Sequence, residues 1–259
     1  MEIYLTIAIF ILGTIFGSFY NVCIYRIPEK ISVATPPSHC YNCDTRLSPL
    51  DLIPVLSWML LRGKCRYCGQ KISPRYAIIE LLTGILFVLT YLTFGYKIDT
   101  IYYLVLVSLL IIITFIDIDH YIIPDGLIII GSIFAIIFNF IYPIVGIRNS
   151  IISGIICGLG TLAVISLIEF ITKKEVMGGG DIKLFGMLGL FVGLKLGVLT
   201  ILLSVYVGAA YGIVTIIYSK INKKEYNSMI PYGPFISIAA IISLTKGESI
   251  INWYLSLFI

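Results

Sequence analysis

The chain has 259 residues, of which 59% are hydrophobic and only 12% charged, with a net charge of +4. Soluble globular domains carry about 25% charged residues, so this composition and a mean hydropathy of +1.01 exclude that class. Apolar runs that approach the roughly 20 residues needed to cross a bilayer recur along the sequence, which points to an all-α polytopic membrane protein with the lipid bilayer as its surroundings and no nucleic-acid partner.

In chain order, the first run, Ile3 to Ile24, has no basic residue ahead of it. A cleaved signal peptide begins with a positive segment, so the run reads as an uncleaved span. Spans are expected over 3–25, 76–95, 101–118, 126–143, 150–171, 184–194, 196–218 and 230–245, about eight in all, followed by a short apolar tail over 249–259. The sixth is short enough to be a half-helix. The loops alternate between two sides. Fourteen of the 18 Lys and Arg residues, Lys223 and Lys224 among them, fall in the loops 26–75, 119–125, 172–183 and 219–229. Positive loops stay in the cytoplasm, so these are expected inside and the N-terminus outside. The chain thus divides into a first span (1–25), a polar module (26–75) and a multispan region (76–259).

The module carries two Cys-x-x-Cys turns, Cys40 with Cys43 and Cys65 with Cys68. Each short turn aims two thiolates at one point, which suits tetrahedral Zn²⁺. Four protein ligands leave no open position, so such a zinc is structural. The alternative is a pair of redox turns or free thiols. A disulfide reading is disfavoured in a cytoplasmic loop. His39 beside Cys40 reads as a solvated residue. Cys23 and Cys157 lie in apolar spans and read as small packing residues.

Carboxylates at the membrane are costly and default to function. Asp117, Asp119 and Asp125 cluster in "FIDIDHYIIPDGL", and Asp181 follows three glycines in "GGGDIKLFG". Asp117 ends the third span and Asp181 starts the sixth, both on the side assigned to the cytoplasm. Two neighbouring aspartates resist ionising together, so one activates water while the other, protonated, polarises a carbonyl. Gly178, Gly179 and Gly180 tolerate positive φ and admit a substrate backbone. The plainer reading makes Asp181 the N-cap of its helix, Asp125 the N-cap of the fourth span and Asp119 a solvated turn residue or a group supporting the pair from behind. A proton- or ion-coupled transporter with intramembrane aspartates, or a non-enzymatic assembly factor, remains open on these residues alone.

Taken together, "GSFYNVCIYRIP" (Gly17 to Pro28), the two cysteine turns, "RGKCRYCGQKISPRYAIIE" (Arg62 to Glu80), "IDIDHYIIPD" (Ile116 to Asp125) and "GGGDIKLFGMLG" (Gly178 to Gly189) resemble the bacterial type IV prepilin peptidases, aspartic proteases of the GxGD type. The resemblance spans nearly the whole chain. It implies that Asp117 and Asp181 are the catalytic pair, that the four cysteines hold a structural zinc, and that the leader of a type IV prepilin or pseudopilin is cut after a glycine at the cytoplasmic face. It also implies methylation of the new N-terminus by S-adenosylmethionine, a role linked to Gly63 and Lys64. Ala77 stands where the family often has proline. Asn21, Arg26 and Glu80 are candidates for structural or substrate-orienting roles; Arg26 and Glu80 lie where they could pair, and the plainer reading is a snorkelling arginine and a helix-start glutamate. A helix start favours an ionised acid, so Asp181 is expected as the base and Asp117 as the proton carrier.

Overall fold

The computed structural model describes residues 2–174, 176–222 and 230–257; Lys223 and Lys224 lie outside these. Among the described residues the secondary structure is helical, with no strand and only two isolated β-bridges, His39 with Arg46 and Lys64 with Lys71. The helices are α1 (Glu2–Arg26), α2 (Leu56–Leu60), α3 (Arg75–Phe94), α4 (Ile98–His120), α5 (Asp125–Ile141), α6 (Ile147–Ile155), α7 (Thr161–Thr172), α8 (Gly179–Asn222) and α9 (Gly233–Ser256). Among the described residues, six helical stretches, counting Ile147–Thr172 as one, are long and apolar enough to cross a membrane. Their outward faces carry large apolar side chains such as Ile7, Ile11, Leu162, Leu167 and Phe170, as a lipid-facing surface requires.

The chain forms two compact units, Met1–Ile112 and Ile113–Ile259, with the boundary inside α4. In the first, α1 packs along α3. Lipid supplies no hydrophobic drive between helices, so membrane helices associate by close backbone approach at small residues. Gly13 and Gly17, four apart on α1, provide this: a Cβ on Gly17 would lie 2.7 Å from the Glu80 Cα, and one on Gly13 would lie 2.8 Å from the Gly84 Cα.

In the second unit, α6, a single π-helical turn (Ile156–Gly160) and α7 form a continuous stretch. Gly154 and Gly158 on it face Gly186 of α8, and a Cβ on Gly189 would lie 2.5 Å from the Ser153 carbonyl oxygen. The α8 stretch breaks at Gly193, where φ is 77° and ψ 174°. The expected spans 184–194 and 196–218 correspond to its two halves. Ser150 Oγ donates to the Leu190 carbonyl at 2.7 Å, in the turn where the break disturbs the helical ladder. The last helix differs from expectation. It runs on through Ser256, so residues 249–256 continue α9 and form no separate tail.

Candidate active site

Asp117 and Asp181 come from different helix ends and lie in the same unit. Asp117 occupies the last full turn of α4 and is 5% exposed; Asp181 is 9% exposed. They lie within electrostatic range of each other. The Gly233 N–H, at the start of α9, donates to Asp117 Oδ2 at 2.7 Å. The first N–H groups of a helix have no intrahelical acceptor, and the helix dipole adds positive potential there. An anion is the natural partner for that position.

Asp181 is the third residue of α8. The helix starts at Gly179, and the Asp181 N–H donates back to the Gly178 carbonyl at 3.1 Å. Asp181 is therefore a first-turn residue and not the N-cap. None of Gly178, Gly179 and Gly180 has positive φ; closeness is what two of them require. A Cβ on Gly178 would lie 3.2 Å from Asp181 Oδ2, and one on Gly180 would lie 3.0 Å from the Ile123 Cβ. Asp125 likewise is the first residue of α5, with Pro124 at the cap position. It pairs with Lys183 at 2.7 Å in an exposed ion pair. Asp119 lies within α4 on an exposed face and not in a turn.

Two residues of this site have no place in the sequence reading. Gly233 supplies the donor to Asp117. Tyr232, next to it, lies within electrostatic range of Asp181, and its hydroxyl is 3.1 Å from Ser204 Oγ. The signal available was "PYGP", Pro231 to Pro234: a turn, then a proline in the first helical turn, where its missing N–H costs nothing.

The cysteine module lies in the first unit. The Sγ atoms of Cys40, Cys43, Cys65 and Cys68 all fall within 4.8 Å of one another, and Cys40 and Cys68 are 3.9 Å apart. A Zn–S bond of about 2.3 Å in tetrahedral geometry requires sulfurs about 3.8 Å apart, so the donor set fits a zinc. The two turns repeat one another 25 positions apart. The Cys40 N–H donates to the Thr45 carbonyl and the Asp44 N–H to the Cys40 carbonyl; Cys65 with Gln70 and Gly69 with Cys65 repeat these bonds. Asp44 and Gly69, just after each pair, both have positive φ. The Thr45 hydroxyl and N–H beside Cys43 lower its thiol to about 7, and the Cys68 and Tyr67 N–H groups lower Cys65. Both effects favour the thiolate that a metal needs.

Gly63 has φ 66°, and a Cβ there would lie 2.9 Å from the Trp58 ring. Lys64 is exposed. Arg26 and Glu80 do not pair with each other. Arg26 donates to the Ser32 and Pro36 carbonyls at 3.0 and 2.7 Å, and Glu80 accepts the Val55 N–H at 2.7 Å.

Fold and site together define a multi-span helical membrane protein with a pair of buried acids and a four-thiol cluster. Residues 11–94 match the bacterial peptidase A24 N-terminal domain, and residues 104–213 match the type IV leader peptidase family. Relatives named prepilin leader peptidase/N-methyltransferase include one from Bacillus subtilis, 34% identical over 96% of this chain and 97% of its own length. Those from Legionella pneumophila and Aeromonas hydrophila are each 32% identical over 97% of this chain and 94% of their own. No solved structure matches the chain. The chain belongs to the type IV leader peptidase family. It is a membrane peptidase, which removes the transporter alternative.

Proposed function

We propose that this protein removes the leader peptide from type IV prepilins or pseudopilins at the cytoplasmic membrane face, cutting after glycine, and then N-methylates the new N-terminus with S-adenosylmethionine. The single observation that carries the cleavage reading is the Asp117–Asp181 pair: two buried acids within electrostatic range, one of them held by a helix N-terminus. The relatives' names support both activities. Eight spans, with the N-terminus outside and residues 26–75 inside, put that pair at the interface. There a hydrophilic leader meets the apolar segment that follows it. In this reading residues 76–259 perform the hydrolysis and 26–75 form the zinc-bound, methylation-linked module.

In this reading the pair carries one proton, since two acids within electrostatic range resist double ionisation. The Gly233 N–H bond favours the charge on Asp117, so this reading makes Asp117 the base, where the helix-start argument from sequence pointed to Asp181. Asp117 takes a proton from water while Asp181 gives its proton to the scissile carbonyl oxygen. The water oxygen bonds to the carbonyl carbon. The C–N bond then breaks as Asp117 passes its proton to the amine nitrogen and Asp181 takes one back from a hydroxyl of the gem-diol, so the amine leaves neutral, the leader departs as a carboxylic acid and both aspartates return to their starting state. Zinc on Cys40, Cys43, Cys65 and Cys68 supplies folding energy to a module too small for a core of its own. S-adenosylmethionine, when bound, would supply an electrophilic methyl group for the freed amine, with S-adenosylhomocysteine as the leaving group and the amine proton passing to solvent.

The test is cleavage of a synthetic prepilin by the purified protein and its Asp117→Asn and Asp181→Asn variants. Both variants should cleave at least about 100-fold more slowly. Processing by either at the native rate would end the two-aspartate reading.

A further inference from the structure

The first unit holds a cavity that the hydrolysis does not use. It measures about 590 Å³, within the roughly 300–1,000 Å³ of small-molecule sites. Its walls come from the end of α1, the cysteine turns, α2 and the start of α3. Tyr25, Trp58 and Tyr76 give it aromatic surface, and Asn21 adds an amide. Arg26 and Glu80 also line it, and they are only 6% and 8% exposed. A buried cation and a buried anion therefore border one space without pairing to each other.

Both charges keep hydrogen-bonding capacity. A guanidinium has five N–H donors and a carboxylate about four acceptor positions. Arg26 uses its two carbonyl partners, and Glu80 accepts from Val55 N–H and the Ser18 hydroxyl. Asp51, the other acid on the wall, is different. The Ser48 N–H and hydroxyl, the Arg66 Nε and the Tyr67 hydroxyl all reach it, so it is structural. Val55 has φ 61°, an unfavourable conformation for a β-branched residue, and its N–H goes to Glu80.

A ligand bearing only one charge would leave the other group buried and unanswered. The cavity therefore suits a molecule with an amino-acid end, and its aromatic walls suit a flat ring and a cation above a π face. S-adenosylmethionine has all of these: carboxylate, ammonium, adenine and sulfonium. We propose that this cavity is the S-adenosylmethionine site, with Arg26 facing the ligand carboxylate, Glu80 its ammonium and Trp58 forming an aromatic wall. The assignment rests on the methyltransferase reading above. It also separates the roles of Gly63 and Lys64. Trp58 Nε1 donates to the Ile72 carbonyl at 3.1 Å, and Gly63 leaves room for the indole, so Gly63 is a positioning residue for that wall. Lys64 does not line the cavity.

The test uses the full-length, zinc-loaded protein in nanodiscs. Titration calorimetry with S-adenosylhomocysteine gives affinity. Ultraviolet cross-linking of radiolabelled S-adenosylmethionine, followed by peptide mapping, gives location on the unaltered chain. Label is expected within residues 18–80. Arg26→Gln and Glu80→Gln should each weaken binding at least tenfold, with zinc content and melting temperature confirming the fold. Met59→Leu, at a 60% exposed position outside the cavity, should leave affinity unchanged. Binding with label confined to residues 113–257 would overturn the cavity and leave the methyltransferase reading intact. Folded variants with native affinity would overturn the roles of Arg26 and Glu80. No binding to the native chain would defeat the methyltransferase reading itself, and the cavity assignment with it.

Discussion

Gly233→Ala is the sharpest perturbation of the proposed catalytic pair, because it adds one methyl group and removes no acid. The new Cβ would lie 2.9 Å from Asp117 Oδ2, 3.2 Å from its Cβ and 3.3 Å from its Cγ. Ordinary contact begins at 3.4 Å, so the carboxylate or the start of α9 must give by about 0.5 Å. The Gly233 N–H bond to Oδ2, now 2.7 Å, is then lost or bent. A hydrogen bond to a charged group contributes about 1.5–3 kcal/mol. At about 1.4 kcal/mol per decade of rate, kcat/KM for prepilin cleavage should fall about 10- to 150-fold. The assay is initial-rate cleavage of a synthetic prepilin in micelles, with circular dichroism and zinc content as fold checks. Gly212→Ala is the matched control, since nothing lies within 4 Å of its added Cβ. A folded Gly233→Ala protein that cleaves within twofold of the native rate would refute the claim that this N–H holds Asp117 for catalysis.

Asp117→Asn and Asp181→Asn should each lower kcat by about 10²- to 10⁴-fold, the usual range for removing a general acid or base. The double variant should be little worse than either, since the pair acts as a unit; additive losses would show independent roles. Elemental analysis should find one zinc per chain, and Cys65→Ser should lose the metal and lower the melting temperature. A metal-free native chain with an unchanged melt would remove zinc from the account. Burial raises the Asp51 carboxyl, but its bonds from Ser48, Arg66 and Tyr67 outweigh this and hold it well below the ordinary value of 3.8. A depressed folded-state value stabilises above the unfolded value and is lost as pH falls through the folded one. The destabilisation by Asp51→Asn should therefore be constant from about pH 5 to 8. A difference in melting temperature that vanishes by pH 5 would contradict this.

What was legible in the sequence follows from how local each cause is. The helical membrane class comes from composition, and the helices of the multispan region follow apolar runs. The four cysteines were legible because each turn is a local unit, and the structure needed only to fold the two turns together. The run of α9 to Ser256 was hidden because Lys246 and Glu248 look like the end of a span. The Lys195–Glu248 ion pair at 2.8 Å shows how Glu248 is accommodated, with both side chains more than half exposed. That partner is 53 positions away, so no window around residue 248 reveals it. The partners of Arg26 and Glu80 were hidden for a related reason. Both acquired backbone partners, the Ser32 and Pro36 carbonyls for one and the Val55 N–H for the other, and loop geometry sets those. The same limit bears on the aspartates. Charge alternation put Asp117 and Asp181 on one face, but the donor to Asp117 comes from a glycine 116 positions further on. A proline-bracketed Tyr-Gly signals a helix start, and a helix start needs an anion or a cap. The sequence therefore shows both the demand and the carboxylate that meets it. Only the packing of α9 joins them, through the 2.7 Å bond from the Gly233 N–H to Asp117 Oδ2 on which the proposed placing of the charge rests.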